Sequence, residues 1–158
     1  MTLFLTWLHL LAAVIWIGGM MFLSLVLVPV LRRPPLAQHR GLIFPAVARQ
    51  YRPVAWGALL VLISTGPILA SLRGIDLADP SHWPVVLQYK LGLVVSLIGL
   101  SAVHDLLIGP RVSQIVRKPV ADRTAGEAQL ARWAPFFARG NLLLGIAVLY
   151  CAVHLARS

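Results

Sequence analysis

Four long apolar stretches separated by short polar segments organise this chain: Leu3 to Leu31, Pro53 to Leu72, Val85 to Ile108, and Asn141 to Ala156. A bilayer core roughly 30 Å thick takes about 20 mostly apolar helical residues to cross, so each stretch predicts a transmembrane helix. The fourth is short, and its helix is expected to start near Pro135, with Arg139 snorkelling or facing protein. The expected spans, about 3–31, 53–72, 85–108 and 135–156, make an all-α integral membrane protein, a four-transmembrane-helix bundle forming a single domain over residues 1–158. The first stretch has no basic residues ahead of it and exceeds the roughly 7–15 residues of a signal-peptide core, which marks it as a retained helix.

Between the spans the pattern changes. Gly41 to Tyr51 sets Leu42, Ile43, Phe44 and Val47 among Arg40 and Arg49, and Ala125 to Phe137 mixes Leu130, Trp133 and Phe136 with Glu127 and Arg132. Both are expected to be amphipathic segments lying in the headgroup plane. Within the spans, Gly18, Gly19, Gly57, Gly92, Gly99, Gly140 and Gly145 permit close helix contact or leave room for a flat cofactor. Pro29 and Pro67 are expected to kink their helices, with Ser64 and Thr65 bonding backbone groups that Pro67 frees.

Composition supports lipid as the solvent: 59% of residues are hydrophobic and 12% charged, and the mean hydropathy is +0.83. The net charge of +9 follows the membrane rather than a nucleic acid. Residues 32–52 carry five arginines and no acid, and Arg111 to Arg139 holds six basic residues against Asp122 and Glu127. The segment from Arg73 to Pro84 has one arginine against Asp76 and Asp79. Because cytoplasmic loops carry the excess of Lys and Arg, the first two segments are expected inside, and both termini on the non-cytoplasmic side of the inner (cell) membrane. The single Cys151 has no partner for an intrachain disulfide.

Ionisable groups inside a membrane mark function by default, and four qualify: His9, Lys90, His104 and His154. The expected topology puts His9, Lys90 and His154 at one outer depth. At 100° per residue, Trp16 and Met20 each fall about 20° from His9, so one face of the first helix reads His9, Trp16, Met20. Lys90, Leu97, Ser101 and His104 form a stripe on the third helix, and Gly140, Ala147, Cys151 and His154 form one on the fourth. His104 lies roughly 21 Å along its helix from Lys90, so with Asp105, Arg49 and Arg52 it belongs to a separate inner site. His39 and His82 fall in loops and are expected to be solvated.

The run from His9 through Trp16, Gly18 and Gly19 to Phe22, followed by Pro29, resembles the first helix of the copper resistance protein D (CopD-like) membrane family. Lys90-Leu91, His104-Asp105 and Gly109-Pro110-Arg111 resemble a later helix of the same superfamily. The chain is also similar to the related HemJ-type protoporphyrinogen oxidases, small four-helix proteins with a histidine in helix one and a lysine opening helix three. That resemblance implies haem b, with His9 and Lys90 in the corresponding positions.

The first reading is therefore a b-type haem protein serving electron transfer, HemJ-like oxidoreductase chemistry or haem handling. His9 is expected as an axial ligand with His154 or Lys90 opposite, Trp16 beside it, and Arg73 and Arg157 as cations for the propionates. The alternatives are a copper or other metal permease with His9, Met20, Met21 and His104 along its path, and a non-catalytic subunit whose polar residues bind neighbouring helices. His9, His154 and His104 are the expected metal ligands. The expected partners are the lipid bilayer, haem or porphyrin, a redox partner protein and a second copy of the chain, with no nucleic acid.

Overall fold

A computed structural model describes residues 1–157, and the side chains of all of these except Arg117 and Val120; Ser158, the last residue of the expected domain, lies outside the described residues. Four helices long and apolar enough to cross a membrane account for most of the chain: α1 (Thr2–Val30), α2 (Leu36–Ser71), α3 (Val85–Val116) and α4 (Ala125–Arg157). No strand occurs among the described residues. Helices α1 and α2 pack as one hairpin and α3 and α4 as another, with α1 against α4 joining them.

The core follows from that pairing. Ala12, Trp16 and Ile17 of α1 meet Ala55, Ala58 and Leu59 of α2, and Leu97 of α3 closes the cluster. Small residues on α2 let the backbones approach, as bundles in lipid require. The opposite faces stay apolar and open: Val14, Leu60, Val95 and Leu143, one from each helix, are 63–69% exposed. A soluble bundle would turn such faces inward, whereas acyl chains cover them here.

The helices overrun the expected bounds, for local reasons. Helix α4 begins well before Pro135 because Thr124 and Glu127 form a reciprocal cap. The Thr124 amide donates to Glu127 Oε2 at 3.0 Å, and the Glu127 amide donates to Thr124 Oγ1 at 3.3 Å, satisfying donors that a helix start leaves bare. Lys118 Nζ adds an ion pair to Glu127 Oε1 at 2.5 Å. Helix α3 continues through Gly109-Pro110 because the residues Val103–Ile108 form a wider π turn, in which the Gly109 amide reaches back to the His104 carbonyl. The same device precedes Pro29, where Phe22–Leu27 is π-helical and the Val28 amide bonds the Leu23 carbonyl. Each shift of hydrogen-bond register comes just ahead of a residue that has no amide to donate.

The segment from Gly41 to Tyr51, expected in the headgroup plane, is continuous with α2: the α-helical part runs Arg40–Ser71 through Pro45, Pro53 and Pro67. The residues around Ala125 to Phe137 are likewise the first turns of α4. Arg139 is exposed, with its guanidinium 5.7 Å from the Phe136 ring centroid. The hydroxyls near Pro67 also behave differently from the expectation. Ser64 donates to the Leu60 carbonyl at 2.8 Å and Thr65 to the Val61 carbonyl at 2.6 Å, each one turn back, whereas the carbonyl that Pro67 frees is that of Ile63.

Between α2 and α3 the loop folds on Asp79, which accepts from the Ser81 amide and from His82 Nδ1 at 3.0 and 2.7 Å. Hydrogen bonds from Ser81 and His82 hold its carboxyl below the usual range. Arg73 Nη1 reaches the Leu155 carbonyl at 3.5 Å, bringing this loop to the end of the bundle that carries the termini.

Candidate functional site: a polar column through the bundle

At the end nearest the termini, His9 of α1 faces α2. Its Nδ1 lies 2.7 Å from Thr65 Oγ1, and Thr65 is only 5% exposed. The Thr65 hydroxyl proton is already committed to the Val61 carbonyl, so His9 Nδ1–H donates and Thr65 accepts. That assignment puts the imidazole's free lone pair on Nε2, the arrangement in which a neutral histidine ligates a metal while its other nitrogen is held. Gly66, the next residue of α2, leaves open the space beside His9 Cε1.

Lys90 of α3 lies within electrostatic range of His9, and within range of Arg73 and Cys151 as well. It is half-buried, and no salt bridge among the described residues includes it. His9, Thr65, Lys90, Cys151 and Arg73 thus gather where the bundle meets the Arg73–Pro84 loop.

Other expected residues are not drawn into this group. His154 is exposed. Gly145 of α4 packs on Ile17 and Met20 of α1, and His154 follows Gly145 by nine residues, a rotation of about 180°. The histidine therefore leaves α4 on the side away from α1, and His9 and His154 are not brought face to face. Arg157 is exposed, and Arg73 caps the end of α4 through Leu155.

Midway along the bundle, a second polar group joins three helices. Asn141 of α4 donates from Nδ2 to Ser101 Oγ of α3 at 2.7 Å and lies 3.6 Å from Met20 Sδ of α1. Asn141 and Ser101 are 8% and 7% exposed, and Asn141 Oδ1 is buried without a hydrogen-bond partner. Trp16, one turn from Met20, is buried in the adjoining core, where Tyr51 Oη donates to its carbonyl at 2.6 Å.

At the far end, His104 Nδ1 and Asp105 Oδ1 are 3.0 Å apart. With Nδ1 donating to the carboxyl oxygen, His104 keeps Nε2 free. Arg52 of α2 lies beside Gly109, and Asp105 is within electrostatic range of Tyr51. His104 thus occupies a site apart from His9, at the opposite end of the bundle. No group of three or more His, Cys, Asp or Glu side chains converges among the described residues.

Sequence reasoning found His9, Trp16, Met20, Lys90 and His104 but missed the two residues that connect them. Thr65 sets the tautomer of His9, and Asn141 links three helices. Asn141 did carry a signal, as an amide opening an otherwise apolar helical run.

Comparison with known proteins places the chain in a family. A family model for copper resistance protein D matches residues 45–155. The chain belongs to the CopD family. The four spans and this membership mark it as an integral membrane protein, and the membership relates it to copper resistance. An uncharacterized protein of Aquifex aeolicus (strain VF5) is 29% identical over 148 residues, covering 94% of this chain and 90% of that relative. No solved structure matches the chain.

Proposed function

We propose that this CopD-family protein handles copper within the membrane, taking the ion as cargo along the interior of its four-helix bundle. The observation that carries the reading is the column itself: His9 with Nε2 free at one end, the Met20 thioether midway, and His104 with Nε2 free at the other. Imidazole suits copper in either oxidation state, and thioether sulfur selects Cu(I). Donors dispersed along a path suit passage, since an ion that must leave again is better held weakly at several stations than tightly at one. Both histidines have the second-shell acceptor that raises ligand basicity and fixes ring orientation. By the positive-inside distribution, both termini and the His9 end face away from the cytoplasm.

The test is Cu(I) binding by the detergent-purified chain in competition with a chromophoric chelator. Binding that falls at least tenfold in His9→Ala supports the reading, and binding unchanged by His9→Ala and His104→Ala together contradicts it.

A second reading, a b-type haem at the terminal end, draws on the proximity of His9 and Lys90. The residues fit in outline: His9 Nε2 would meet the iron, Gly66 leaves space beside the ring, and Lys90 would ligate or pair with a propionate. When bound, such a group would supply one-electron chemistry. A Soret band in the purified chain that His9→Ala abolishes would put this reading first.

A further inference from the structure

At the end of the bundle opposite the termini, the chain turns from α1 into α2 through a well-fixed segment. Leu31 is 2% exposed. The Arg32 and Arg33 amides bond the Pro29 and Val30 carbonyls, and the Ala37 amide bonds the Arg33 carbonyl, each at 3.1 Å. Gly41, in the first turns of α2, lies beside Val116 at the end of α3. Arg123 holds that end in turn by donating to the Val116 and Lys118 carbonyls at 3.3 and 3.0 Å.

The turn keeps two like charges together. Arg32 and Arg40 are both exposed and lie within electrostatic range of one another, an arrangement that their repulsion would undo in a loose loop. No carboxylate of the chain answers them. The sequence has no acid before Asp76, Asp105 is engaged by His104 and Glu127 by Lys118, and no ion pair among the described residues includes either arginine. Along the same stretch Val30, Leu36 and Leu42 are 42%, 38% and 72% exposed, so apolar side chains share this surface with the guanidinium groups.

We propose that Arg32 and Arg40 form a headgroup site for an anionic phospholipid, with the phosphate set between the two guanidinium groups and the acyl chains beside the exposed leucines. The chemistry fits on both counts. A guanidinium presents paired N–H donors that match phosphate oxygens, and one negative charge between two positive ones turns their repulsion into attraction. Exposed leucines next to arginines are the lining of a headgroup–acyl boundary, where the apolar groups leave water and the charges keep it. A free phosphate would satisfy the arginines alone and leave the leucines in water, so the occupant is a lipid. A zwitterionic headgroup would add its own ammonium to two cations, so the lipid is an anionic one. The site depends on neither the copper nor the haem reading.

The test uses the full chain, delipidated in an uncharged detergent, with bound lipid counted by native mass spectrometry. Titrated separately with phosphatidylglycerol and with phosphatidylcholine of the same acyl chains, the wild-type chain should take up one phosphatidylglycerol ahead of any further lipid. Arg32→Gln and Arg40→Gln should each weaken that first uptake about fivefold and leave phosphatidylcholine unaffected. Both side chains are exposed, so the unfolding midpoints of these variants without lipid should match the wild type. Arg33→Gln combined with Arg49→Gln removes two exposed arginines of the same segment and should leave the first uptake unchanged. Equal weakening by this control pair would overturn the site in favour of a diffuse basic surface, and equal affinity for the two lipids would overturn it outright. Glycerol phosphate in excess should not displace the bound lipid; displacement would overturn the lipid as occupant and mark a site for free phosphate.

Discussion

Two adjacent glycines in α1 should respond to alanine with opposite signs. A Cβ on Gly19 would coincide with the ring and hydroxyl of Tyr51, whereas a Cβ on Gly18 meets nothing within 4 Å. Tyr51 cannot simply swing aside, because its hydroxyl donates to the Trp16 carbonyl at 2.6 Å and the Ile15 carbonyl at 3.1 Å, pinning α2 to α1 beside the core. Gly19→Ala therefore forces the ring out. Overpacking is unfavourable by about 1–3 kcal/mol and the lost hydrogen bonding by about 1 kcal/mol, against a helix-propensity gain of about 1 kcal/mol. The net is about 2 kcal/mol of destabilisation, whereas Gly18→Ala should gain up to about 1 kcal/mol. For a chain of this length 1 kcal/mol moves the midpoint by about 2–4 °C, so thermal unfolding in detergent should place Gly19→Ala about 4–8 °C below wild type. Tyr51→Leu in the Gly19→Ala background should recover part of the loss, a coupling that a double-mutant cycle isolates. A Gly19→Ala midpoint equal to or above that of Gly18→Ala would refute the close approach of α1 and α2 at this point.

Thr65→Val keeps the side-chain shape but removes the acceptor for His9 Nδ1. Cu(I) affinity should fall about 10–100-fold, the usual effect of losing a second-shell partner, and unaltered affinity in a competition titration would mean that Thr65 does not position the imidazole. Thr124→Ala breaks the cap of α4 and should destabilise by about 1 kcal/mol, read as faster amide exchange confined to the first turn after Ala125; protection at wild-type level would dismiss the cap. In the α2–α3 loop the Asp79 carboxyl is held below its ordinary value of 3.8 by hydrogen bonds from Ser81 and His82. Its contribution to loop order is complete above that value and disappears as pH falls on through the depressed one. Asp79→Asn should speed Ser81 amide exchange already at neutral pH, and exchange indifferent to both acid and substitution would count against it.

The membrane fold was legible because each span announces itself through length and hydropathy, signals that survive without any tertiary contact. The helix ends were not. Gly109-Pro110 reads as a stop, and only the π turn before it lets α3 continue. Thr124 and Glu127 did spell a capping box, but Pro135 and the nearby charges drew the expected start of α4 too far along the chain. The site divided in the same way. The His9, Trp16, Met20 face followed from helical rotation within one element, and these residues do turn inward, half-buried or buried. The partners of those residues sit on other helices. Thr65 lies 56 positions from His9, and Asn141 lies 40 from Ser101 and 121 from Met20, so neither pairing has a local pattern to betray it. The rotation of His154 away from α1 was hidden for the same reason: shared depth was readable from the topology, but the face that α4 turns inward depends on Gly145 packing against Ile17 and Met20.

Copper uptake by the reconstituted chain bears most directly on the central claim. Proteoliposomes loaded with a membrane-impermeant Cu(I) chelator should develop the chelate's colour when Cu(I) is supplied outside. The rate should exceed that of protein-free vesicles and fall about tenfold or more in His9→Ala, whose fold is checked by its unfolding midpoint. Uptake no faster than in protein-free vesicles, from a chain that purifies folded and carries a Soret band lost in His9→Ala, would contradict copper handling and leave the haem reading in its place.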